Sequence, residues 1–445
     1  MSAREIYDRV FQLLRDHHSV FESCIPLIAS ENIVSRAVKE AIISDFGHRY
    51  AEGWVGKRVY AGCRYIDQVE TITIELAKKL FRAEFVDVRP ISGVVANLVV
   101  YTAFTNPGDR MMSLSIPCGG HISMGKRRLG GTAGAVHGLK VEYFVYDEKE
   151  LNVDVDGTVR KIQGLEEGGK HINLIMFGGS VFPFPSPVKE ISEVARQYGI
   201  TTGYDGAHVS GLIAGGQFQD PLREGCDVMS SSVHKTLFGP QRGIVLSRDE
   251  YADRIKRAAF PGMISNHHLH TLAGLAIALS EMLEFGRDYA KQVIRNSKAL
   301  GSALYERGFD VLAQHKGFTE SHTLLIDITK TPLKDGMKVE SELEKANIIV
   351  NRNLLPWDIR EGRHYMHPGG IRLGTSEITR LGMKESEMEE IAEFMKRVVL
   401  DGEDPKWVAK DVDHFRGNYQ TCHYCFDESG AYEYIRLRGE GPQVK

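Results

Sequence analysis

The stretch that decides the fold runs from Asp227 to Gly243 and reads DVMSSSVHKTLFGPQRG. A β-prone run is followed here by Lys235 and then by a Gly-Pro turn, which predicts a lysine in a loop at the end of a strand. An amine at the edge of a sheet is partly dehydrated, and it is then suited to form a Schiff base with a carbonyl compound. A surface lysine in a loop is the alternative that this stretch alone leaves open.

Two further stretches carry chemistry that complements such a lysine. Asp205 ends the β-like run TTGYD, and Ser92-Gly93 follows VDVRPI at the predicted start of a helix. A helix N-terminus can hold a phosphate group, and a carboxylate can pair with a pyridinium nitrogen. Together with the lysine, these are the parts that a pyridoxal-phosphate site needs.

Seven segments in this order resemble the serine hydroxymethyltransferase family over about residues 20–400. They are LIASEN (27–32), RYAEGWVGKRVYAGC (49–63), SGVVANL (92–98), GGHIS (119–123), DGAHVSGLIAGG (205–216), HKTLFGP (234–240) and GIRLGT (370–375). The resemblance implies an α/β protein of fold type I, an aspartate-aminotransferase-like transferase that uses pyridoxal 5'-phosphate. The segment LLPWD (354–358) is similar to archaeal-type members, for which a modified pterin is an alternative one-carbon carrier.

Composition limits the other function classes. The chain has 445 residues, 42% of them hydrophobic and 26% charged, with a formal net charge of −4. No long basic run points to nucleic acid, and no apolar stretch approaches the roughly 20 residues of a membrane span. Six cysteines without a framework pattern favour a reduced, cytoplasmic protein. The N-terminus is amphipathic with both signs of charge, which is not typical of a signal peptide.

The order of apolar runs predicts the architecture. From about residue 70 to 275, helical and strand-like segments alternate, which is typical of a mostly parallel sheet covered by helices. The predicted strands are 111–116, 141–146, 172–178, 201–205 and 243–247. We expect an N-terminal arm helix (1–25), a large cofactor-binding α/β domain (26–275), a small α+β domain (276–400) and a C-terminal extension of unknown role (401–445).

The resemblance implies a set of cofactor-binding residues. Lys235 would hold the cofactor aldehyde, Asp205 would pair with the pyridine nitrogen, and His121 would stack on the ring. Ser180 and His208 would lie near the phenolic oxygen. The remaining implied contacts are Ser92, Gly93 and Val94 at the phosphate, and Tyr50 and His234 around the cofactor. The family more often has a small residue at Val94, so only a backbone contact is expected there.

The substrate and pterin contacts are also implied by the resemblance. Arg372 and Ser30 would bind the amino-acid carboxylate, for which a guanidinium fork is well suited. Ser30 and Asn32 are alternatively N-cap residues of a predicted helix over 33–45. Tyr60 would line the site, and Glu52 would act as the acid–base group, since a carboxyl group in aromatic surroundings is suited to exchange protons. Glu52, Gly120 and Asn353 would contact the pterin.

Several segments depart from the family pattern or suggest other sites. Ile264, Ser265 and Asn266 replace a Gln-Gly-Gly run whose loop, in the family, reaches across a subunit interface toward the cofactor phosphate. The histidines at 267, 268 and 270 and the CHYC pair (422–425) suggest metal ligands, but neither set is complete, and no metal is expected. The stretch 120–127 copies part of a phosphate-binding loop, but Arg127 stands where Ser or Thr must bind Mg²⁺.

The predicted reaction interconverts L-serine and glycine, and the one-carbon unit passes to or from a tetrahydropterin. A homodimer with active sites at the interface is expected, with an amino acid and a pterin as small-molecule partners. The presence of Glu52 is the main argument for pterin-linked chemistry. The alternative is a related aldolase, a threonine transaldolase or an α-methylserine hydroxymethyltransferase acting on β-hydroxy amino acids. A scaffold protein without turnover is disfavoured, because the lysine, aspartate, arginine and glutamate are all present.

Overall fold

The structure is a computed structural model that describes residues 1–435. Its central element is a seven-stranded sheet with the spatial order Phe85–Asp87, Gly243–Ser247, Val228–Ser232, Thr201–Asp205, Leu174–Gly178, Arg110–Ser113 and Lys140–Tyr143. Gly243–Ser247 runs antiparallel to both of its neighbours, and the other pairs are parallel. The predicted α/β class with a mostly parallel sheet is confirmed.

The sheet is covered on both faces, as parallel sheets require. Every residue of Leu174–Gly178 and Val228–Ser232 is buried. The α-helices of the described chain are Ala3–Ser23, Arg36–Ile42, Arg64–Phe81, Gly93–Phe104, Val155–Glu167, Val188–Gln197, Ser210–Ala214, Pro221–Glu224, Ala252–Arg257, Leu269–Glu306, Gly336–Lys345, Ser376–Arg380, Glu385–Val399 and Pro405–Arg416.

A second, antiparallel sheet lies in the C-terminal part of the chain. Its strand order is Asp310–Val311, Thr323–Asp327, Gly370–Gly374 and Asn351–Asn353. It packs on its own hydrophobic core, which also receives Ile25 and Leu27 from near the N-terminus. The predicted boundary at residue 275 falls inside the 38-residue helix Leu269–Glu306, which contributes side chains to both cores. The proposed domain limits remain a prediction.

Three local predictions are wrong. The strand expected at 111–116 ends at Ser113. The strand expected at 141–146 ends at Tyr143, because Val145 bonds to Thr158 and Asp154, and Tyr146–Asp147 pairs with Asn152–Val153 instead. The helix expected over 33–45 spans only Arg36–Ile42, and Ser35 caps it by accepting a bond from Val38 N at 3.3 Å. Ser30 and Asn32 are therefore not its N-caps.

The N-terminal helix and the C-terminal segment up to residue 435 pack beside the second core. Helix Ala3–Ser23 has no fully buried residue, and Ile6, Val10 and Leu13 are about half exposed. Buried Arg416, on the last helix, donates to the carbonyl oxygens of Cys24 (2.5 Å) and Phe21 (3.2 Å), which ties the C-terminal segment to the arm. Residues 436–445 of the predicted extension lie outside the described residues. In the described part of the chain, no helix is both long and apolar enough to cross a membrane.

Candidate active site

Lys235 lies just beyond the carboxyl end of strand Val228–Ser232. Its half-buried side chain donates from Nζ to Ser232 Oγ at 2.5 Å and lines a cavity of about 230 Å³. Strand ends of this kind are where α/β proteins bind ligands. Seven other residues predicted for the cofactor line the same cavity, namely Ser92, Gly93, Val94, His121, Asp205, His208 and His234.

Asp205 ends the neighbouring strand and is 4% exposed. Its Oδ2 accepts from Asn97 Nδ2 at 2.8 Å, and its Oδ1 accepts from Ala207 N at 3.0 Å. Asn97 is itself fixed, because its Oδ1 accepts from Ser230 Oγ at 2.6 Å. Asn97 was not predicted as a site residue, although a polar residue inside the apolar helix GVVANLVVYTAF was a usable signal.

The helix Gly93–Phe104 begins where it was predicted, with its N-terminus at the cavity. Ser92 caps it by accepting from Val95 N at 3.3 Å. The amides of Gly93 and Val94 have no acceptor within the helix, so they and the helix dipole present positive charge to the cavity. A side chain at residue 93 would meet Ser232 Cβ at 3.2 Å, so a glycine brings the backbone close to the lysine loop.

His121 and His208 line the cavity, and His322 packs against His208. His121 Nδ1 is 2.7 Å from Ser123 Oγ, and burial lowers the pKa of His121. The ring of His208 stacks on His322 with centroids 5.5 Å apart. Burial lowers the pKa of His208 well below its usual range and that of His322 to about 3. These rings are therefore neutral near pH 7. The sequence analysis missed His322, which lies outside all seven family-like segments.

Arg372 is a buried cation, 8% exposed, on strand Gly370–Gly374. Its Nη1 donates to Ser180 O at 3.0 Å and its Nε to Asn351 Oδ1 at 3.1 Å. Burial lowers the pKa of Arg372 to about 10. Among residues 1–435, no carboxylate forms an ion pair with this guanidinium. Ser180 contributes its backbone oxygen here.

The remaining predicted residues do not line the Lys235 cavity. Ser30 lines an adjoining cavity of about 610 Å³ that shares His234 and Gln241. Asn32, next to it, donates from Nδ2 to Lys235 O at 2.8 Å. Gly120 donates its amide to Ser115 O at 2.8 Å, and Asn353 donates from Nδ2 to Leu354 O at 2.7 Å.

Tyr50, Glu52 and Tyr60 form a separate cluster on the loop before helix Arg64–Phe81. The rings of Tyr50 and Tyr60 lie 5.1 Å apart, and the two side chains are 53% and 45% exposed. The half-buried Glu52 carboxylate accepts a hydrogen bond from Ser265 Oγ. None of these three side chains lines the Lys235 cavity of the same chain.

Two glycine segments cross at the side of the cavity. The carbonyl oxygen of Gly119 accepts from the amides of Ser180 (2.7 Å) and Val181 (3.1 Å). A Cβ on Gly119, which has φ +96°, would lie 1.8 Å from Val181 O, and a Cβ on Gly179 would lie 2.3 Å from Gly119 O. Both positions therefore exclude any side chain, and the crossing fixes Gly179 at the cavity wall.

The groups around the cavity fit pyridoxal 5'-phosphate. The set comprises an amine, a fixed carboxylate, a helix N-terminus and neutral imidazoles. His234 Nδ1 is buried without a hydrogen-bond partner among the described residues, so the cavity wall also offers an unused polar atom. Within residues 1–435, no group of three or more His, Cys, Asp or Glu side chains is placed so that it could hold a metal ion.

We expect Lys235 to react with amine reagents at unusually low pH. Burial lowers the pKa of Lys235 to about 8, with Asp205 opposing the shift and Arg372 adding to it. Since only the neutral amine is nucleophilic, labelling of the cofactor-free protein should rise about tenfold per pH unit up to pH 8 and then level off. Peptide mass spectrometry measures this, with exposed Lys149 as the reference. Labelling of both lysines in parallel up to about pH 10 would contradict the lowered pKa.

Comparisons with known proteins agree with this geometry. A family model described as serine hydroxymethyltransferase matches residues 4–395. Similar proteins with that name come from Cenarchaeum symbiosum (59% identical, 98% of this chain and 99% of the relative), Nitrosopumilus maritimus (57%, 98% and 99%) and Methanocaldococcus jannaschii (56%, 97% and 99%). This coverage extends the similarity into the C-terminal segment, beyond the range predicted from the sequence. The chain belongs to the serine hydroxymethyltransferase family.

Proposed function

We propose that the protein is a serine hydroxymethyltransferase that interconverts L-serine and glycine and passes the one-carbon unit to or from a tetrahydropterin. The observation that carries the substrate class is Arg372, a buried guanidinium near Lys235 without an anionic partner among the described residues. A buried charge left unpaired is costly, and a substrate carboxylate relieves it through two parallel hydrogen bonds. Ser30 and Tyr60 would complete the amino-acid site.

The same residues support pyridoxal 5'-phosphate as the cofactor. When bound, it withdraws electrons from Cα of the amino acid. Lys235 would hold its aldehyde carbon, and the amides of Gly93 and Val94 would hold its phosphate. Asp205 would keep the ring nitrogen protonated, a role favoured by the fixed orientation of its carboxylate. His121 would stack on the ring, with His208 and Ser180 near the phenolic oxygen.

Glu52 is the proposed proton carrier at the hydroxymethyl group or the pterin, with Tyr50 and Tyr60 lining the site. Because these three residues do not line the Lys235 cavity of their own chain and both tyrosine rings are exposed, we infer that they serve the cavity of a second copy of the chain. The inference supports a homodimer with shared sites. Gly120 and Asn353 remain proposed pterin contacts, and the cytoplasmic location remains a prediction.

Complementation tests whether the site is shared. Lys235→Ala and Glu52→Gln are each expected to retain only a small residual activity alone. If Glu52 serves the cavity of the partner subunit, a mixed dimer contains one site with both wild-type groups. Co-expression with two different tags and isolation of the doubly tagged species should then recover about half of the wild-type rate per dimer. A doubly tagged dimer without activity would place Glu52 and Lys235 of one chain in one site.

The activity test is glycine formation from L-serine by the cofactor-loaded protein, with and without tetrahydrofolate or a modified tetrahydropterin. We expect turnover that requires a carrier. Cleavage of threonine or another β-hydroxy amino acid at a rate unchanged by every carrier would instead support the aldolase or transaldolase alternative. Turnover of α-methylserine in preference to serine would identify the third variant. Carrier-independent cleavage would leave Glu52 without its proposed role.

A further inference from the structure

Asn266 holds the backbone on both sides of Tyr50. Its Oδ1 accepts from Ala51 N at 3.0 Å, and its Nδ2 donates to Arg49 O at 3.2 Å. A side-chain amide carries one donor group and one acceptor group on a single plane, which matches one carbonyl and one N–H of the loop. The preceding residue, Ser265, donates its hydroxyl to the carboxylate of Glu52. Two adjacent side chains therefore contact three of the four residues from Arg49 to Glu52.

The other side of Glu52 is held by Arg58. Its Nη1 donates to Ala51 O and Gly53 O, each at 2.8 Å. The Arg58 side chain is only 4% exposed, because its remaining nitrogens bond to Asp67 (2.7 Å) and Glu70 (2.6 Å). The peptide groups that flank Glu52 are thus fixed from two directions, and its position depends mainly on its own side-chain torsions.

Asn266 is itself anchored by buried neighbours. Ile264 is 6% exposed, and its amide donates to Ala259 O at 2.9 Å. His267 is 3% exposed, and its Nδ1 accepts from Arg242 Nη2 at 2.6 Å. A side chain held between two buried residues loses little further entropy when it bonds to the loop. The segment 264–267 is therefore a rigid support for the loop.

We propose that Asn266 and Ser265 are positioning residues for Glu52. Asn266 fixes the backbone that carries Glu52, and the Ser265 hydroxyl occupies Oε1 of the carboxylate, which leaves Oε2 free to exchange a proton. The inference rests on the proposed function, since it assigns Glu52 the proton transfer. Ser265 and Asn266 thereby gain a role within their own chain. They are two of the three residues that stand where the family has a Gln-Gly-Gly run.

The first test measures the loop without any substrate. In cofactor-free protein, Asn266→Ala should speed hydrogen exchange at the amide of Ala51 and within residues 49–60 by about tenfold or more, because the acceptor of that amide is lost. Asn266→Asp keeps the acceptor and should retain most of the protection. Asn152→Ala is the matched control, since Asn152 likewise bonds one carbonyl (Pro185 O, 2.9 Å) and one amide (Val153 N, 2.8 Å) outside this loop.

The second test separates positioning from substrate binding. Asn266→Ala should lower the carrier-dependent kcat about 10- to 100-fold while KM for serine changes less than about threefold, since Arg372 is untouched. Ser265→Ala should lower kcat with the loop still protected, which keeps the proposal testable if Asn266→Ala fails to fold. In a Glu52→Gln background, Asn266→Ala should have an additional effect of less than about twofold.

Two results would overturn the proposal: wild-type exchange at Ala51 in Asn266→Ala, or kcat losses of Asn266→Ala and Glu52→Gln that multiply in the double variant. Failure of the proposed function has a different signature. In that case the wild-type protein makes no glycine with any carrier, while the exchange experiment still decides whether Asn266 holds the loop.

Discussion

Lys235→Ala is expected to lower serine-to-glycine turnover by at least about 10³-fold. The physical reason is that no other described amine lines the Lys235 cavity, so none could replace Nζ there. The variant should fold normally, because the Lys235 side chain makes a single hydrogen bond, to Ser232. The measurement is kcat at saturating serine and carrier, together with the visible absorbance of the bound cofactor, which is expected to shift when the covalent link is lost.

Lys189→Ala is the control for this variant, since Lys189 is exposed on helix Val188–Gln197 and should leave turnover unchanged. Turnover of Lys235→Ala within about tenfold of wild type would contradict the role of Lys235 as the residue that holds the cofactor. Recovery of the wild-type rate in excess cofactor would do the same, because it would reduce the lysine to a binding contact.

Glu70→Gln is expected to destabilise the fold by about 3–5 kcal/mol, the usual result of breaking a buried ion network from one side. Glu70 is fully buried between Arg58 (2.6 Å) and Arg89 (2.8 Å), with His267 Nε2 at 3.6 Å. Removing its charge leaves two buried guanidinium groups with less compensation. The measurement is denaturant unfolding of the cofactor-free protein, with Glu75→Gln as a control. Glu75 is 65% exposed on the same helix and should change stability by less than about 0.5 kcal/mol.

The ionisation of Glu70 also predicts that the fold loses stability as the pH is lowered. Burial alone would raise the pKa of Glu70, but His267, Arg89 and Arg58 outweigh it and lower the pKa to about 2. The folded-state pKa is below the unfolded value, so Glu70 stabilises the fold above about pH 4.5, and this contribution is lost as the pH falls toward 2. The loss should be smaller in Glu70→Gln. An identical acid profile in the two proteins would show that folding does not lower the pKa of Glu70.

The parts of the site that lie at the ends of strands and at the start of a helix could be predicted from the sequence. Buried parallel strands read as apolar runs, and polar residues at their carboxyl ends converge, so Asp205 and Lys235 were found with the helix that begins at Gly93. Asn97 was missed because its partner Asp205 is 108 residues away, and neither residue alone indicates the pair. The network of Glu70, Arg58 and Arg89 was missed for a similar reason, since charged residues on a helix are ordinarily solvated.

The wrong predictions have a common physical cause. Ser30 and Asn32 have good capping side chains, but Ser35 lies nearer to the helix, and Asn32 bonds to the carbonyl oxygen of Lys235 instead. Propensity treats each residue by itself, whereas a tertiary hydrogen bond to a distant loop decides where the helix begins. Which subunit's cavity Glu52 serves stays a prediction, because spacing in one sequence does not say which subunit a side chain serves.

The glycine crossing has a consequence for how this gene can vary. At codons 119 and 179, every missense change adds at least a Cβ, and that atom would fall 1.8 Å or 2.3 Å from a backbone carbonyl oxygen. The carbonyl group of Gly119 cannot move away without losing hydrogen bonds, because its oxygen already accepts from the amides of Ser180 and Val181. In a saturation library selected for a folded protein, these two codons should retain glycine alone, while the exposed codon for Val59 should accept many residues. Purifying selection at these two codons would therefore act on chain folding before it acts on catalysis.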